Sequence, residues 1–409
     1  MKRLLCLSLT LAMLLCVFAL PASAASAEPI ELELWHYFGN DSKYLLDKLE
    51  EFNTIQDEIK LNIQYVQRDD LMKQYTMGAI SGELPDIGMI DNPDMAAFIQ
   101  MGVFADITEQ IDAWGEKDNF FVGPLSSCIQ DGRIYGLPQN SNCLALFYDK
   151  DALVAAGIEV PTNWTELEAA AAKLTDPSKG QYGLAISAVK NEEGTFQYMP
   201  WFISAGGNLE NLSGEGCVES LSFLTGLIEN GYMSRDVINW SQADANSQFI
   251  AGNAVMQVNG PWQIPVIAEE APEKNYGVAL VPKADNGVYA SVLGGENFGV
   301  TSTCENIDAA VKVLEYLLDK DINADVCVQT GKFSPRADSM ASRSEWSEDP
   351  ILSVFSEGMQ YAMPRGPHPR WPEISAVIST AEHEAFTGAR SVADALKDAE
   401  AAVTALLAK

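Results

Sequence analysis

Between Ile30 and Ile90 the hydrophobic period switches repeatedly between that of a strand and that of a helix, and few folds accommodate that order. Ile30, Leu32 and Leu34 alternate with Glu31 and Glu33, as a strand with one apolar face does. Asp41 or Ser42 can cap a helix whose Leu45, Leu46, Leu49 and Phe52 share a face. Leu61, Ile63 and Tyr65 alternate again, and a helical stretch then runs from Leu71 to Ile80 before Gly82 and Pro85. Ile87 to Ile90 is short and wholly apolar, the pattern of a parallel strand covered on both faces. The order β-α-β-α-β predicts an α/β fold around a mostly parallel sheet with right-handed crossovers.

Ligands of such sheets bind outside the carboxyl ends of the strands. Trp35-His36-Tyr37-Phe38-Gly39-Asn40 follows the first strand and Asp91-Asn92-Pro93 the third, which makes Trp35, His36, Tyr37, Asp91 and Asn92 candidate ligand contacts. Asp91 has a second reading, as cap of the helix containing Met95 to Ile99. Only His368 and His383 accompany His36, and neither stands at ligand spacing with carboxylates, so no metal or cofactor is expected.

The first 27 residues have the layout of a secretion signal. Lys2 and Arg3 precede the apolar run Leu4 to Leu20, and Pro21-Ala-Ser-Ala24 and Ala25-Ser-Ala27 offer small-residue cleavage sites. These sites favour cleavage over a retained anchor. Leu14-Leu15 stand ahead of Cys16 where lipoprotein processing needs small residues, so the sequence does not support a lipid anchor. The formal charge is −31, and cleavage ahead of Glu28 would leave about −33. So acidic a body is repelled by nucleic acid and anionic lipid, which argues against both as partners. No stretch after Leu20 approaches the length of a membrane span, so no membrane insertion is expected. Cys128, Cys143, Cys217, Cys304 and Cys327 would remain, without C-x-x-C spacing, and read as buried thiols. The remaining length, about 380 residues, exceeds one ordinary core and predicts two domains.

The segment Ser247–Ile264, SQFIAGNAVMQVNGPWQI, reads as helix end, strand, turn and helix start. Gly252 suits a left-handed C′ position, Ala254 to Val258 a buried strand, Asn259-Gly260 a turn, and Pro261 the first position of a new helix. Trp262 would then sit at the rim, where an indole can stack on the apolar face of a ligand or simply fill core. The run Phe249, Gly252, Ala254, Met256, Gly260, Trp262 resembles the signature of type 1 extracellular solute-binding proteins, the sugar-capturing subunits of ABC importers, and Met256-Gln-Val-Asn-Gly-Pro-Trp262 is similar to the segment of their maltodextrin-binding members.

Further landmarks fall in that family's order. Gly136-Leu-Pro-Gln-Asn-Ser-Asn142 followed by Tyr148-Asp-Lys is similar to the first interdomain crossover and supplies Asn142. Pro161-Thr-Asn-Trp164 opens a structural helix, so Trp164 is expected to be packed. Trp201-Phe-Ile-Ser-Ala-Gly206-Gly207 matches a segment that contributes to the sugar site in relatives, which adds Trp201 and Gly206. Val292-Leu-Gly294-Gly-Glu296-Asn-Phe-Gly-Val resembles the second crossover and adds Gly294 and Glu296; Ser334-Pro-Arg-Ala-Asp338 resembles the third. In Met363-Pro-Arg365-Gly-Pro-His368-Pro-Arg-Trp371, three prolines forbid helix and predict a stiff loop presenting Arg365 and Trp371. Maltodextrin-binding members carry a sugar-stacking tryptophan in the corresponding stretch. Ser391 and Asp394 make a plausible capping box for a C-terminal helix.

The resemblance implies a two-lobed periplasmic-binding-protein type II-like fold, with a ligand cleft between the lobes and three hinge crossovers. Lobe 1 would comprise 28–139 plus 290–336, and lobe 2 would comprise 140–289 plus 337–409. It further implies a monomer that captures a carbohydrate without chemistry and delivers it to ABC permease subunits outside the cytoplasmic membrane. Two alternatives stay open: a binding protein for another solute, such as a polyamine, peptide or phosphorylated compound, and a secreted glycoside hydrolase using a carboxylate pair. A cationic ligand would require several carboxylates in the cleft. Aromatics, amides and few charges suit a neutral polyol better.

Overall fold

The computed structural model describes residues 28–366 and 368–408. The expected signal segment 1–27, with Cys16, lies outside them. The strands that matter are β1 (Ile30–His36), β2 (Ile59–Tyr65), β3 (Ile87–Asp91), β4 (Leu137–Pro138), β5 (Ala145–Asp149), β6 (Tyr182–Ala185), β7 (Ala254–Asn259), β8 (Tyr276–Ala279), β9 (Ser291–Leu293), β10 (Glu296–Val300) and β11 (Ala362–Pro364). The helices used below are α1 (Lys43–Ile55), α2 (Arg68–Ser81), α3 (Glu192–Ser204), α4 (Gln242–Ile250), α5 (Gln263–Glu270), α6 (Ile307–Leu317), α7 (Trp371–Phe386) and α8 (Val392–Leu407).

Two sheets organise two lobes. The first has the order β2-β1-β3-β10-β4. Its first three strands are parallel, as the β-α-β-α-β pattern predicts, whereas β10 returns antiparallel to β3. Period-two alternation sends Leu32 and Leu34 to one face, against Leu45, Leu49 and Phe52 of α1 and Leu314 of α6. On the other face Ile90 packs with Leu71 and Tyr75 of α2 and with Phe98. All of Ile87–Ile90 is buried.

The second sheet, β8-β5-β7-β6, is mixed rather than mostly parallel: β5 is antiparallel to both neighbours and only β6–β7 is parallel. Leu144, Leu146, Met256 and Val258 join a core containing α3, α7 and α8. Ala145, Phe147 and Val278 face a separate cluster with Phe249, Phe333 and Phe355. Trp164 is buried with its indole donating to the Pro282 carbonyl, so its packed reading holds. Cys128, Cys143, Cys217, Cys304 and Cys327 are all buried and unbridged. No helix among the described residues is long and apolar enough to cross a membrane.

Local signals act largely where expected. Gly252 is left-handed (φ 76°) and closes α4, and the Ser391 hydroxyl caps α8 by accepting from Asp394 N. Pro261 does not open a helix: Trp262 is the N-cap of α5, which starts at Gln263. Asp91 caps nothing, because the N-cap of the following helix is Asp94.

Between the sheets the chain crosses side by side. Asn142 and Gly294 exchange main-chain hydrogen bonds of 3.0 and 2.9 Å, Ser141 and Phe333 exchange bonds of 2.7 and 2.8 Å, and Gln139 N donates to the Glu296 carbonyl at 2.8 Å. Gly295 has φ 147°, and a Cβ there would stand 2.2 Å from the Asn140 carbonyl oxygen. Only glycine fits a backbone so placed. Gly295→Ala is therefore expected to destabilise the protein by about 1–3 kcal/mol in urea unfolding. Unchanged stability would show that this crossing is not tightly packed.

Candidate functional site

The parallel strands of the first sheet end together, and their carboxyl ends form one wall of a cleft of about 480 Å³. Tyr37 to Asp41 follow β1, Tyr65 ends β2 with Gln67 and Arg68 just after it, and Asp91 ends β3. The opposite wall comes from the second lobe: Glu192, Glu193 and Phe196 from the start of α3, Gln242 and Asn246 from α4, and Trp262 and Gln263 at the start of α5. Asn142, Gly294, Gly295, Glu296 and Lys332 line it from the crossovers.

Each wall is held by local chemistry. Asn191 caps α3 by accepting from Glu193 N, which places two carboxylates at a helix N-terminus, where the peptide dipoles favour negative charge. On β7, Gln257 donates to Asn246 Oδ1 at 2.7 Å and Asn259 donates to the Gln242 carbonyl at 2.9 Å, so strand amides fix the start of α4. Trp262 lies across Gly260, where a Cβ would meet its ring at 1.9 Å. Its ring centroid is 6.2 Å from that of Phe196, giving the second lobe an aromatic pair.

Charges are more numerous than expected. Asp41, Asp91, Glu192, Glu193, Glu270 and Glu296 line the cleft against Arg68, Lys332 and Arg365. Each cation is tied to carboxylates. Arg68 Nη2 donates to Asp94 at 2.9 Å and to Asp91 at 3.4 Å. Lys332 Nζ donates to Ser42 Oγ at 3.0 Å, lies 3.7 Å from Asp41 and 3.9 Å from Glu296, and sits over the Phe38 ring. Arg365 donates to both Asp91 oxygens, at 3.0 and 3.1 Å, and to Glu192. Burial pushes the Asp94 carboxyl up to about 7 against the pull of Arg68, and burial also raises Glu296 against the pull of Lys332. Among the described residues no group of His, Cys, Asp and Glu is arranged to hold a metal ion.

Of the residues singled out from sequence, Tyr37, Asp91, Asn142, Trp262, Gly294, Glu296 and Arg365 line this cleft. Asn92 stands just behind it, accepting from Arg365 Nη2 at 3.4 Å. The others do not line it. Trp35 turns away, stacking on Tyr75 and donating to Glu33 at 2.7 Å. His36 is buried and accepts Phe38 N–H at Nδ1. Trp201 is fully buried inside α3 between Trp164 and Phe223, because the segment continues a helix instead of forming a glycine loop. Gly206 ends that helix with φ 76°. Trp371 is the first residue of α7 and fully buried, donating its indole N–H to Glu192 at 3.1 Å. The proline-rich loop thus delivers a helix start into the core, not a ring to the cleft. Arg68, Lys332, Phe196 and the Glu192–Glu193 pair were not anticipated. Arg68 follows the second parallel strand, so the carboxyl-end rule applied to every strand would have found it.

A two-lobed α/β body with a polar, aromatic-flanked cleft between its sheets is the architecture of a solute-binding protein. The family model for the bacterial extracellular solute-binding protein matches residues 48–354, and the chain belongs to that family. It is 28% identical over 398 residues to a putative binding protein of Brucella abortus (strain 2308), covering 95% of each chain. The maltodextrin-binding protein MdxE of Bacillus subtilis (strain 168) is 24% identical over 370 residues, covering 84% of this chain and 82% of that one. A solved ABC transporter solute-binding protein from Thermotoga lettingae TMO, bound with alpha-D-tagatose, superposes with a TM-score of 0.83 at 25% identity, covering 92% of this chain and 100% of the other. The family and these neighbours are binding proteins, not enzymes.

The buried His36 gives the fold a pH signature. Burial depresses its imidazole to about 4, whereas an unfolded histidine titrates near 6.5. Below about 6.5 the unfolded chain gains a proton that the folded one refuses. The stability linked to His36 is therefore complete above that pH and is lost as pH falls toward 4. Between pH 7 and 5 urea unfolding should register a loss of about 2 kcal/mol from this residue, and His36→Gln should flatten the slope. Identical slopes for the two proteins would contradict the assignment.

Proposed function

We propose that this chain is the extracytoplasmic saccharide-capturing subunit of an ABC importer. It closes its lobes around a sugar and hands it to membrane permease subunits, acting as a monomer, with lobe 1 formed by 28–139 plus 290–336 and lobe 2 by 140–289 plus 337–409. The observation that carries this reading is Trp262, fixed over Gly260 at the edge of a polar cleft. An indole so placed offers its face to the C–H surface of a sugar. Asp91, Glu296 and the amides of Asn142, Gln242 and Asn246 surround it with groups suited to hydroxyls. The tagatose-bound neighbour and the maltodextrin-binding relative support the same class of ligand.

Ligand contacts from both walls favour the closed form only by the difference in affinity between open and closed states. A hydrolase reading gains nothing from Asp91 and Glu192, which are already committed to Arg365. An amine-bearing ligand has one observation in its favour: Glu193 and Glu270 line the cleft and form no ion pair among the described residues. A thermal-shift panel of neutral sugars, amino sugars and polyamines separates the two, since a ligand raises apparent stability by mass action.

Trp262→Ala is expected to weaken saccharide binding at least about tenfold, roughly 1.4 kcal/mol, without unfolding the protein. Calorimetry giving the same affinity for variant and wild type would remove the stacking role.

A further inference from the structure

In the cleft lining the two lobes present carboxylates to each other, Asp91 at the end of β3 and Glu192 at the start of α3. Unaided, two such groups in a dry site repel. Arg365 lies between them. Its guanidinium makes a bidentate contact with Asp91 (3.0 and 3.1 Å), donates to Glu192, and reaches Asn92 at 3.4 Å. It sits over the Phe196 ring, with Cζ 4.4 Å from the ring centroid. The side chain is 2% exposed.

That arrangement copies what a sugar would do there. A flat polar group rests on an aromatic face while its donors satisfy carboxylates from both lobes. The position is also braced. Arg365 follows β11, which pairs in parallel with β9, and Glu192 is held from behind by the Trp371 indole. Releasing the guanidinium would leave the buried Glu192 without a cation and Asp91 with only the longer contact to Arg68, which is costly. Arg365 is therefore not a side chain that swings aside readily.

We infer that Arg365 is a built-in end stop: it fills the subsite over Phe196 and confines the ligand to the part of the cleft beside Trp262, which makes the chain selective for short saccharides. The inference rests on the saccharide reading above and goes beyond it by naming the residue that sets ligand length.

The test is calorimetry with malto-, manno- and galacto-oligosaccharide series of increasing length, on wild type, Arg365→Ala and Arg365→Lys. Wild type should reach its best affinity at a short member and gain nothing from further sugar units. Arg365→Ala should shift the optimum to longer members, raising their affinity at least about tenfold relative to the short ones. Arg365→Lys, which keeps charge but loses the planar fork, should fall between. If Arg365→Ala does not fold, Glu192→Gln, which removes one tie and keeps the volume, should shift the optimum in the same direction by less. Wild-type affinity that keeps climbing with length, or a length profile unchanged in the variants, overturns the end stop and leaves the saccharide reading standing. No binding of any series to any of these proteins overturns the saccharide reading itself, and the end stop with it.

Discussion

The structure depends on three stretches of backbone lying hydrogen-bonded side by side where the chain passes between its lobes. Asn142 and Gly294, Ser141 and Phe333, and Gln139 and Glu296 are joined main chain to main chain. A ladder of this kind resists sliding and stretching but can bend, so the relative freedom of the lobes reduces to rotation about it. The ladder also sets the floor of the cleft. Gly294 presses against Asn142 Oδ1 and the Phe196 ring, where a Cβ would meet them at 2.2 and 2.9 Å, and Gly295 against the Asn140 carbonyl. Larger residues would separate the strands whose closeness makes the hinge. The same few residues thus carry the hinge and line the site.

Above that floor the electrostatics are set before any ligand arrives. Arg68, Lys332 and Arg365 are each at most 14% exposed in their side chains, and each faces at least two carboxylates. Buried pairs of this kind are poor sources of net stability, because desolvation offsets attraction. Their use here is positional. Asp91 cannot rotate while Arg68 and Arg365 hold it, so its remaining lone pairs point in fixed directions. A ligand meets acceptors that are already oriented and loses less entropy in ordering them.

The first lobe was legible from its periodicity. The alternation of Ile30–Leu34 and Leu61–Tyr65, with the continuous run Ile87–Ile90, specifies three parallel strands, and the structure has them. The second sheet was less legible, since period two does not distinguish parallel from antiparallel partners and β5 pairs both ways antiparallel. In the site, residues directly after strands or in crossovers were readable: Tyr37, Asp91, Asn142 and Glu296 stand where topology puts ligands. The tryptophans were not, because an indole's use depends on which way its helix start faces. Trp262 opens toward the cleft while Trp371, also at a helix start, turns into the core. Lys332 and Glu192 left no local signal, since each acts through partners distant in sequence, Lys332 through Ser42 and Glu192 through Arg365.

In the proposed complex the ligand lies between the lobes, against Trp262 and bounded by the Asp91–Arg365–Glu192 tie. The most direct measurement is the position of a bound saccharide in crystals of the complex. The expected complex has a sugar ring stacked on the Trp262 indole, hydroxyls within hydrogen-bond reach of both walls, and Arg365 still bridging Asp91 and Glu192. A saccharide bound outside the cleft, or one whose ring makes no contact with Trp262, would contradict it.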